Sequence, residues 1–303
     1  MSKSIITIVG PTGIGKTDLS IFLAKSLKSE IISADSRQFF KEIPIGTAAP
    51  SKNDLKHIKH HFIHNKSIKD NYSVGEFEIE ALSKIKILHK KYNTLIVVGG
   101  SGLYMNSILY GLDEFPKIDS KIRIELNNEL KNDGLEFLQN ELKKNDPLSY
   151  SKIDIKNPHR LIRALEIFRG TGFKYSSFIK KTKKQKREFK IVNIGLSADR
   201  KIIYDRINKR VDKMIENGLI KEAKKLYKYK ELNALKTVGY RELFQYFDGK
   251  YTLDNAVNEI KKNTRRYAKR QITWFKKQNS TTWFDYKEPY ENILSHVEKQ
   301  CFD

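Results

Sequence analysis

Apolar residues along the chain fall into two patterns, short continuous runs and runs with helical spacing. The continuous runs predict strands at residues 4–9, 30–34, 94–98, 189–196 and 281–284. The helical spacings predict helices over residues 18–27, 74–92, 200–217 and 253–278, with a last helix at the end of the chain. Because a continuous apolar run is typical of a strand covered on both faces, the pattern indicates an α/β fold with a parallel sheet flanked by helices.

A charged helical segment interrupts this alternation of strands and helices. Its amphipathic patterns span residues 118–130, 134–144 and 158–168. The segment ends in the basic run 180–187, and strand signals resume directly afterwards. This predicts a helical insertion domain at 113–187 within a core formed by 1–112 and 188–303. The basic run is either a solvated surface or, beside a polyanion, a contact surface.

The first predicted strand is followed by a P loop, the G-x-x-x-x-G-K-[ST] pattern that binds phosphate. The loop consists of Gly10, Pro11, Thr12, Gly13, Ile14, Gly15, Lys16 and Thr17. Its glycines let backbone N–H groups point at phosphate oxygens, and the N-terminus of the next helix adds partial positive charge. Lys16 supplies a point charge, and the Thr17 hydroxyl is the predicted ligand for Mg²⁺. The pattern does not identify the phosphorylated compound, although a nucleoside triphosphate is the commonest one.

Polar residues follow the next two strands, where the carboxyl ends of parallel strands open onto a ligand crevice. Asp35 directly follows the strand at 30–34, which favours a chemical or recognition role over the alternative of a helix N-cap. The strand at 94–98 ends in glycines and Ser101, not in the Asp that helps to hold Mg²⁺ in most nucleotide hydrolases of this loop class. This difference weakens an ATPase or kinase interpretation. The glycines either bring Ser101 close to the bound ligand or form a tight turn.

Residues 41–73 contain several turn-forming residues and are predicted to form a long functional loop with little regular structure. The histidines at helical spacings in this loop are His57, His60, His61 and His64. Because no cysteine or carboxylate cluster accompanies them, local packing or phosphate contacts are favoured over a metal site.

The charge of the chain indicates a polyanionic partner. The 303 residues carry a formal net charge of +22, which attracts nucleic acid over the whole surface. A lysine-rich proteome is the alternative explanation. The helix predicted at 253–278 places cations beside Tyr267, Trp274 and Phe275, a combination suited either to RNA or to a core-facing helix.

Cysteine content and hydropathy set the expected location. The single cysteine, Cys301, excludes an intrachain disulfide and favours a reducing compartment. No apolar run approaches the roughly 18 residues that a membrane span requires, and the first strand leaves no room for a signal peptide. We therefore expect a cytoplasmic protein with no membrane partner, and a monomer.

Together these stretches resemble the tRNA dimethylallyltransferases, also called tRNA isopentenyltransferases, along most of the chain. The matching stretches span residues 10–17, 33–38, 45–48, 60–61, 72–74, 97–104, 157–166, 238–240 and 265–271. Ser101 stands where the family usually has Thr, Phe40 where Tyr is common, and His159 where Gln often occurs. Ser101 keeps the hydroxyl, and the change at His159 can alter a contact with the RNA.

The resemblance implies transfer of a dimethylallyl group from dimethylallyl diphosphate to N6 of the adenosine 3′-adjacent to the anticodon in tRNA, with Mg²⁺ as cofactor. It implies that Asp35 is the general base. It also implies that Lys16, Ser101 and Arg210 stabilise the departing diphosphate. The residues that it assigns to the tRNA anticodon stem-loop are Asp35, Ser36, Arg37, Gln38, Ser101, Arg123, His159, Arg160, Leu161, Ile162 and Arg163.

Two other functions stay open from the sequence. An adenylate isopentenyltransferase, acting on a free nucleotide, would keep the P loop and Asp35 but would not need a basic insertion. A nucleotide-switched RNA-binding P-loop protein would bind ATP without prenyl chemistry.

Overall fold

The structure is a computed structural model that describes residues 3–179, 187–278 and 280–302. The chain divides into two compact units. The core unit comprises Met1–Tyr110 and Lys186–Asp303, and the insertion unit comprises Gly111–Gln185. The boundaries predicted from the sequence, at 113 and 187, each lie two residues later than the observed ones.

The core unit is built on one parallel sheet. Its strands within the described residues are β1 Ser4–Val9, β2 Ile31–Ser33, β3 His60–His61, β4 Thr94–Val98, β5 Lys190–Ser197 and β6 Thr281–Asp285. The order across the sheet is β3-β2-β4-β1-β5-β6, and all neighbouring pairs are parallel. The predicted α/β class is therefore confirmed, with β6 as the predicted edge strand.

Helices cover the sheet and form the insertion unit. In chain order they are α1 Lys16–Ser26, α2 Lys52–His57, α3 Val74–Leu88, α4 Gly102–Tyr110, α5 Ser120–Asn132, α6 Gly134–Asn145, α7 Pro147–Lys152, α8 Pro158–Thr171, α9 Tyr175–Phe178, α10 Arg200–Glu216, α11 Leu219–Leu226, α12 Tyr240–Phe247, α13 Leu253–Lys276 and α14 Tyr290–Phe302. Two short 3₁₀ helices lie at Tyr227–Tyr229 and Asn233–Leu235. No helix in the described part of the chain combines the length and apolar character of a membrane span.

Alternate residues of β1 face opposite sides of the sheet, as the two-residue period of a strand requires. Ile6 packs in one apolar core with Leu23 of α1. Ile5 packs in a second core with Phe77 of α3. All four side chains are fully buried. The β-branched run at 4–9 is thus buried on both faces, as is typical of a strand inside a parallel sheet.

Several short helices were not predicted from the apolar pattern. The segment 41–73 contains α2, which begins at a capping box in which Ser51 Oγ accepts from Asp54 N and the Asp54 carboxylate accepts from Ser51 N. The helices α11 and α12 pack with Ile43 in a third apolar cluster. These elements fix the long loop against the core unit.

In the insertion unit, α5, α6 and α8 pack around Leu126, Leu138 and Leu165. Asn157 caps α8 by accepting from His159 N, and Pro158 occupies the first turn. The predicted basic run 180–187 lies outside the described residues except for Arg187.

Candidate active site

The carboxyl ends of β1, β2 and β4 open onto a cleft of about 830 Å³. These strands are neighbours in the parallel sheet, so the loops that follow them meet at one edge. The cleft is lined by residues 12–17 of the P loop, by Asp35, and by Arg206 and Arg210 of α10. The structure therefore brings the predicted phosphate-binding loop, Asp35 and Arg210 together.

The P loop adopts a backbone conformation that favours glycine at three positions, Gly10, Gly13 and Gly15. Gly10 has φ 144°, and a Cβ there would lie 2.6 Å from Leu196 O. Gly15 has φ 111° and precedes α1, which begins at Lys16. Lys16 Nζ donates to the carbonyl oxygens of Gly10 and Pro11 at 2.9 and 2.8 Å. The loop thus places an ammonium group and a helix N-terminus at the cleft, an arrangement that binds anions.

Two arginines one turn apart on α10 contact the P loop. Arg206 Nε donates to Gly13 O at 2.7 Å. Arg210 donates to Thr12 Oγ1 at 3.4 Å and to Ala48 O at 3.3 Å. Arg210 was predicted as a site residue. Arg206 was not, although its four-residue spacing from Arg210 was the signal that places both on one helix face.

Two basic groups, Lys16 and Arg210, lie close enough in the cleft to affect each other's charge. Burial and the charge of Arg210 lower the pKa of Lys16 to about 7, although Asp35 opposes this shift. Burial also lowers the pKa of Arg210, which nevertheless stays charged. An anionic ligand would relieve the repulsion between these two groups.

Asp35 shapes the turn after β2 and faces the cleft. Its Oδ1 accepts from Arg37 N at 2.9 Å and from Gln38 N at 3.3 Å. One carboxylate oxygen thus caps a turn, while Oδ2 makes no hydrogen bond within the described residues. Ser101 Oγ accepts from Ser36 N at 3.0 Å and donates to Ser36 Oγ at 3.1 Å. Ser101 and Asp35 are therefore held by the same turn.

The side chains of Arg37 and Gln38 contact neighbouring loops of the core unit. Arg37 Nη1 donates to Asn233 O at 2.9 Å. Gln38 Nε2 lies 3.4 Å from both Thr47 O and Ala48 O. The Ala48 carbonyl also accepts from Arg210 of α10. It therefore links the turn after β2 to the arginine that contacts the P loop.

The aromatic residues of α13 divide between the cleft, the core and the surface. Tyr267 lines the cleft, and its hydroxyl lies 3.4 Å from Gly100 O. Burial and the charge of Asp35 raise the pKa of Tyr267 to about 12, so its hydroxyl stays protonated at neutral pH. Phe275 is fully buried, whereas Trp274 is 40% exposed. A place in the cleft was not predicted for Tyr267.

Some cations of α13 form ion pairs with carboxylates, and others are exposed near the cleft. Lys261 Nζ lies 2.6 Å from Asp212 Oδ1, and Lys262 Nζ lies 2.7 Å from Glu259 Oε1. The exposed cations near the cleft-lining tyrosine are Arg266, Lys269 and Arg270. This second group is the part of the basic face that can approach a polyanion.

Two histidines of the segment 41–73, His60 and His61, make local contacts. His61 Nε2 lies 2.6 Å from Glu30 Oε2, and His60 Nδ1 lies 2.8 Å from Ile58 O. Among residues 3–179, 187–278 and 280–302, no group of three His, Cys, Asp or Glu side chains could hold a metal ion. These contacts agree with the local-packing interpretation.

The predicted RNA-binding residues at the start of α8 face two directions. His159 and Arg160 are exposed. Leu161 and Ile162 are buried in the core of the insertion unit. The helical period turns these two side chains away from solvent and into the apolar cluster, and their assignment to RNA stays a prediction.

Arg123 and Arg163 are bonded to the same carboxylate of the insertion unit. Arg123 Nε and Nη2 donate to Glu166 at 2.8 and 2.7 Å, and Arg163 Nη1 donates to it at 2.7 Å. Burial alone would raise the pKa of Glu166, but the hydrogen bonds and charges of the two arginines lower it. The side chains of Arg123 and Arg163 remain 50% and 36% exposed. Each can therefore keep this bond and still face a ligand.

We expect Glu166→Gln to destabilise the protein by about 1–3 kcal/mol, because the negative charge and one of the two acceptor oxygens that bind the arginines are lost. The pKa of Glu166 is lowered in the fold, so its stabilisation is fully present at neutral pH, begins to fall as the pH drops below about 4.5 and is lost as the pH passes through the lowered folded-state pKa. Thermal unfolding at pH 7 and pH 4 checks this, with Glu259→Gln, which breaks the pair with Lys262, as the control. Equal shifts for the two variants would contradict the prediction.

Comparison with known proteins identifies the family. The family model for IPP transferase matches residues 38–278. A curated relative from Christiangramia forsetii, named tRNA dimethylallyltransferase, is 57% identical over 300 residues, which is 99% of both chains. A relative of the same name from Flavobacterium johnsoniae is 54% identical over 301 residues, which is 97% of both chains.

Solved structures give the same result. The tRNA isopentenylpyrophosphate transferase of Bacillus halodurans is similar with a TM-score of 0.74 and 36% identity, covering 99% of this chain and 97% of that one. A eukaryotic dimethylallyltransferase acting on tRNA is similar with a TM-score of 0.78 and 28% identity, covering 99% of this chain and 76% of that one. The resemblance found in the sequence is confirmed, and the chain belongs to the IPP transferase family.

Proposed function

We propose that this protein transfers a dimethylallyl group from dimethylallyl diphosphate to N6 of the adenosine 3′-adjacent to the anticodon in tRNA, releasing diphosphate. One observation carries the proposal: Lys16 and Arg210 line the same cleft as Asp35, so an anion site and a carboxylate base share one space. The name of the curated relatives, tRNA dimethylallyltransferase, supports the same reaction and disfavours the free-nucleotide and switch alternatives.

The P-loop side of the cleft is suited to the diphosphate. Negative charge accumulates on the leaving group as its C–O bond breaks, and preorganised donors stabilise that charge. Lys16, Arg210 and the backbone N–H groups of the loop are the donors that we assign to this role. Arg206 holds the loop in place through Gly13 O.

The residues beside the P loop fit Mg²⁺. This ion usually takes one or two protein oxygens and completes its shell with substrate phosphates and water. Thr17 and Asp18 both line the cleft, and we assign Thr17 as the ligand. The bound ion would add positive charge next to the leaving group.

Asp35 is the general base in this proposal. The lone pair of adenine N6 is delocalised into the ring, which makes the amine a poor nucleophile. As N6 forms its bond to C1 of the dimethylallyl group, the C–O bond to diphosphate breaks and an N6 proton moves to Asp35. The Ser101 hydroxyl is tied to the same turn through its two hydrogen bonds with Ser36.

The target adenosine has to leave the stacked anticodon loop to reach Asp35. The further residues that we assign to the anticodon stem-loop are Ser36, Arg37, Gln38 and Ser101 of the core unit and Arg123, His159, Arg160 and Arg163 of the insertion unit. One chain supplies the P loop, Asp35 and Arg210, so we propose that the monomer is the acting species.

Incubation with dimethylallyl diphosphate and an anticodon stem-loop, followed by mass analysis of the nucleosides, tests the proposed function. The expected product is prenylated adenosine from a stem-loop with adenosine 3′ of the anticodon, and none from the same stem-loop with guanosine there. Prenylation of free AMP in place of RNA would overturn the choice of acceptor. Binding of ATP without binding of dimethylallyl diphosphate would overturn the chemistry.

The affinity for the stem-loop is expected to fall steeply with salt, because the net charge of +22 favours phosphate neutralisation. With about six phosphates neutralised, log K declines against log salt with a slope near −5. Replacing Lys269 and Arg270 by Ala should make the slope shallower by about one to two units. The control is Lys262→Ala, whose ammonium is paired with Glu259. Titrations at several salt concentrations that give one slope for all three proteins would show that the exposed cations do not contact RNA.

A further inference from the structure

One buried amide joins the two halves of the cleft. Gln271 of α13 is 5% exposed. Its Oε1 accepts from Thr12 N in the P loop at 2.9 Å. Its Nε2 donates to Gly100 O in the turn after β4, also at 2.9 Å. We propose that Gln271 is a positioning residue that sets the distance between the phosphate-binding loop and the turn that carries Ser101; this inference rests on the proposed function.

The turn after β4 packs closely against side chains of α13. A Cβ at Gly100 would lie 2.2 Å from Gln271 Nε2, and a Cβ at Gly102 would lie 2.1 Å from Trp274 Nε1. Glycine at these positions lets the turn approach the helix closely. The fully buried Phe275 anchors the same part of α13 in the core. The buried part of α13 thus packs against the turn, and the Gln271 amide is the group that bonds to both loops.

A chain of covalent and hydrogen bonds connects Gln271 to the proposed general base, Asp35. Gly100 precedes Ser101, whose Oγ accepts from Ser36 N. Ser36 in turn follows Asp35. A continuous series of bonds thus runs from the P loop, which holds the leaving group, to the turn that holds the general base. Because displacements of about 1 Å at reacting groups can cost 10²-fold in rate, a residue that fixes this spacing acts on the chemical step.

An amide side chain is the group that this position requires. It carries one carbonyl acceptor and one NH₂ donor, which match the N–H of Thr12 and the carbonyl of Gly100. A carboxylate or an ammonium group could satisfy one of the two but not both. Buried and bonded at both ends, the amide also specifies a single arrangement of the two loops.

Gln271→Met tests this role, because methionine has a similar volume and neither bond. We expect kcat for prenyl transfer to fall about tenfold, while KM for dimethylallyl diphosphate changes by less than about threefold. Gln271→Asn is the second variant: it keeps an amide in the site but is too short to reach both loops, and we expect an intermediate loss. Far-UV circular dichroism confirms that each variant is folded.

Gln278→Met is the matched control. Gln278 follows α13 and donates to Asn106 Oδ1 of α4 at 2.7 Å. Like Gln271, it is a glutamine that bonds to a neighbouring element, but it does not line the cleft. It should leave kcat unchanged. A structural role common to both glutamines would instead lower kcat equally in both variants, and that result overturns the proposal.

A double mutant separates positioning from general packing. If Gln271 acts through the turn of Ser101, then Gln271→Met should cost much less in a Ser101→Ala background than alone. Full additivity, or a change confined to KM, overturns the proposal. A wild-type protein that forms no prenylated adenosine would refute the proposed function itself. A wild-type protein that is active beside a fully active Gln271→Met would refute the positioning role alone.

Discussion

Asp35→Asn is expected to lower kcat for prenyl transfer by roughly 10²- to 10⁴-fold, the usual scale for a positioned general base. The substitution separates the two roles of this side chain. An asparagine Oδ1 can still accept from Arg37 N and Gln38 N, so the turn after β2 should be retained. The amide nitrogen that replaces Oδ2 cannot accept the N6 proton. Single-turnover rates with a prebound stem-loop measure the effect on the chemical step.

The affinity of Asp35→Asn for the stem-loop should stay within about tenfold of the wild type. Asp35→Ala provides the comparison, since it removes the base and the cap of the turn together. We expect both variants to lose turnover, and the alanine variant to bind RNA more weakly than the asparagine variant because Arg37 and Gln38 lose their backbone anchor. Wild-type turnover in Asp35→Asn would refute the assignment of the base.

The strands and long helices could be predicted because their cause is local. The run at 4–9 is rich in β-branched residues and is buried along its whole length, and α13 repeats its apolar face over 24 residues. Helices such as α7 and α11 have six and eight residues, and too few turns for a reliable period. Helices this short depend on tertiary packing for stability, and tertiary partners are not visible in a local pattern.

The candidate site also contains features that could be predicted from local sequence and features that could not. The P loop was predictable since its chemistry requires adjacent residues in one order. The bond of Arg206 to Gly13 and the bond of Gln271 to Thr12 join positions 193 and 259 residues apart, and no spacing along the chain indicates such pairs. The burial of Leu161 was not visible in the stretch 157–166 either, because one stretch of helix contributes side chains both to solvent and to the core.

Lys16→Met is expected to weaken binding of dimethylallyl diphosphate by about 100-fold, since a charge-assisted hydrogen bond contributes about 1.5–3 kcal/mol. The ammonium group is buried at the cleft, and within the described residues its hydrogen bonds go to two carbonyl oxygens of its own loop. Methionine keeps the length and the apolar stem of the side chain. Calorimetric titration of both proteins with the diphosphate measures the loss, and an affinity within threefold of the wild type would contradict the assignment.

The same titrations should show proton uptake that depends on Lys16. Burial and the charge of Arg210 lower the pKa of Lys16 to about 7, so in the free protein the amine is largely protonated at pH 6 and largely neutral at pH 8. A bound diphosphate favours the ammonium form and raises this pKa. Binding therefore takes up almost no proton on Lys16 at pH 6, about half a proton at pH 7 and nearly one at pH 8. The affinity falls by up to about tenfold per pH unit above pH 7.

Titrations in buffers of different ionisation enthalpy measure this proton uptake directly. Ionisation of the ligand itself contributes equally to both proteins, so the difference between wild type and Lys16→Met isolates the lysine, and equal uptake in the two would show that Lys16 does not change its charge on binding.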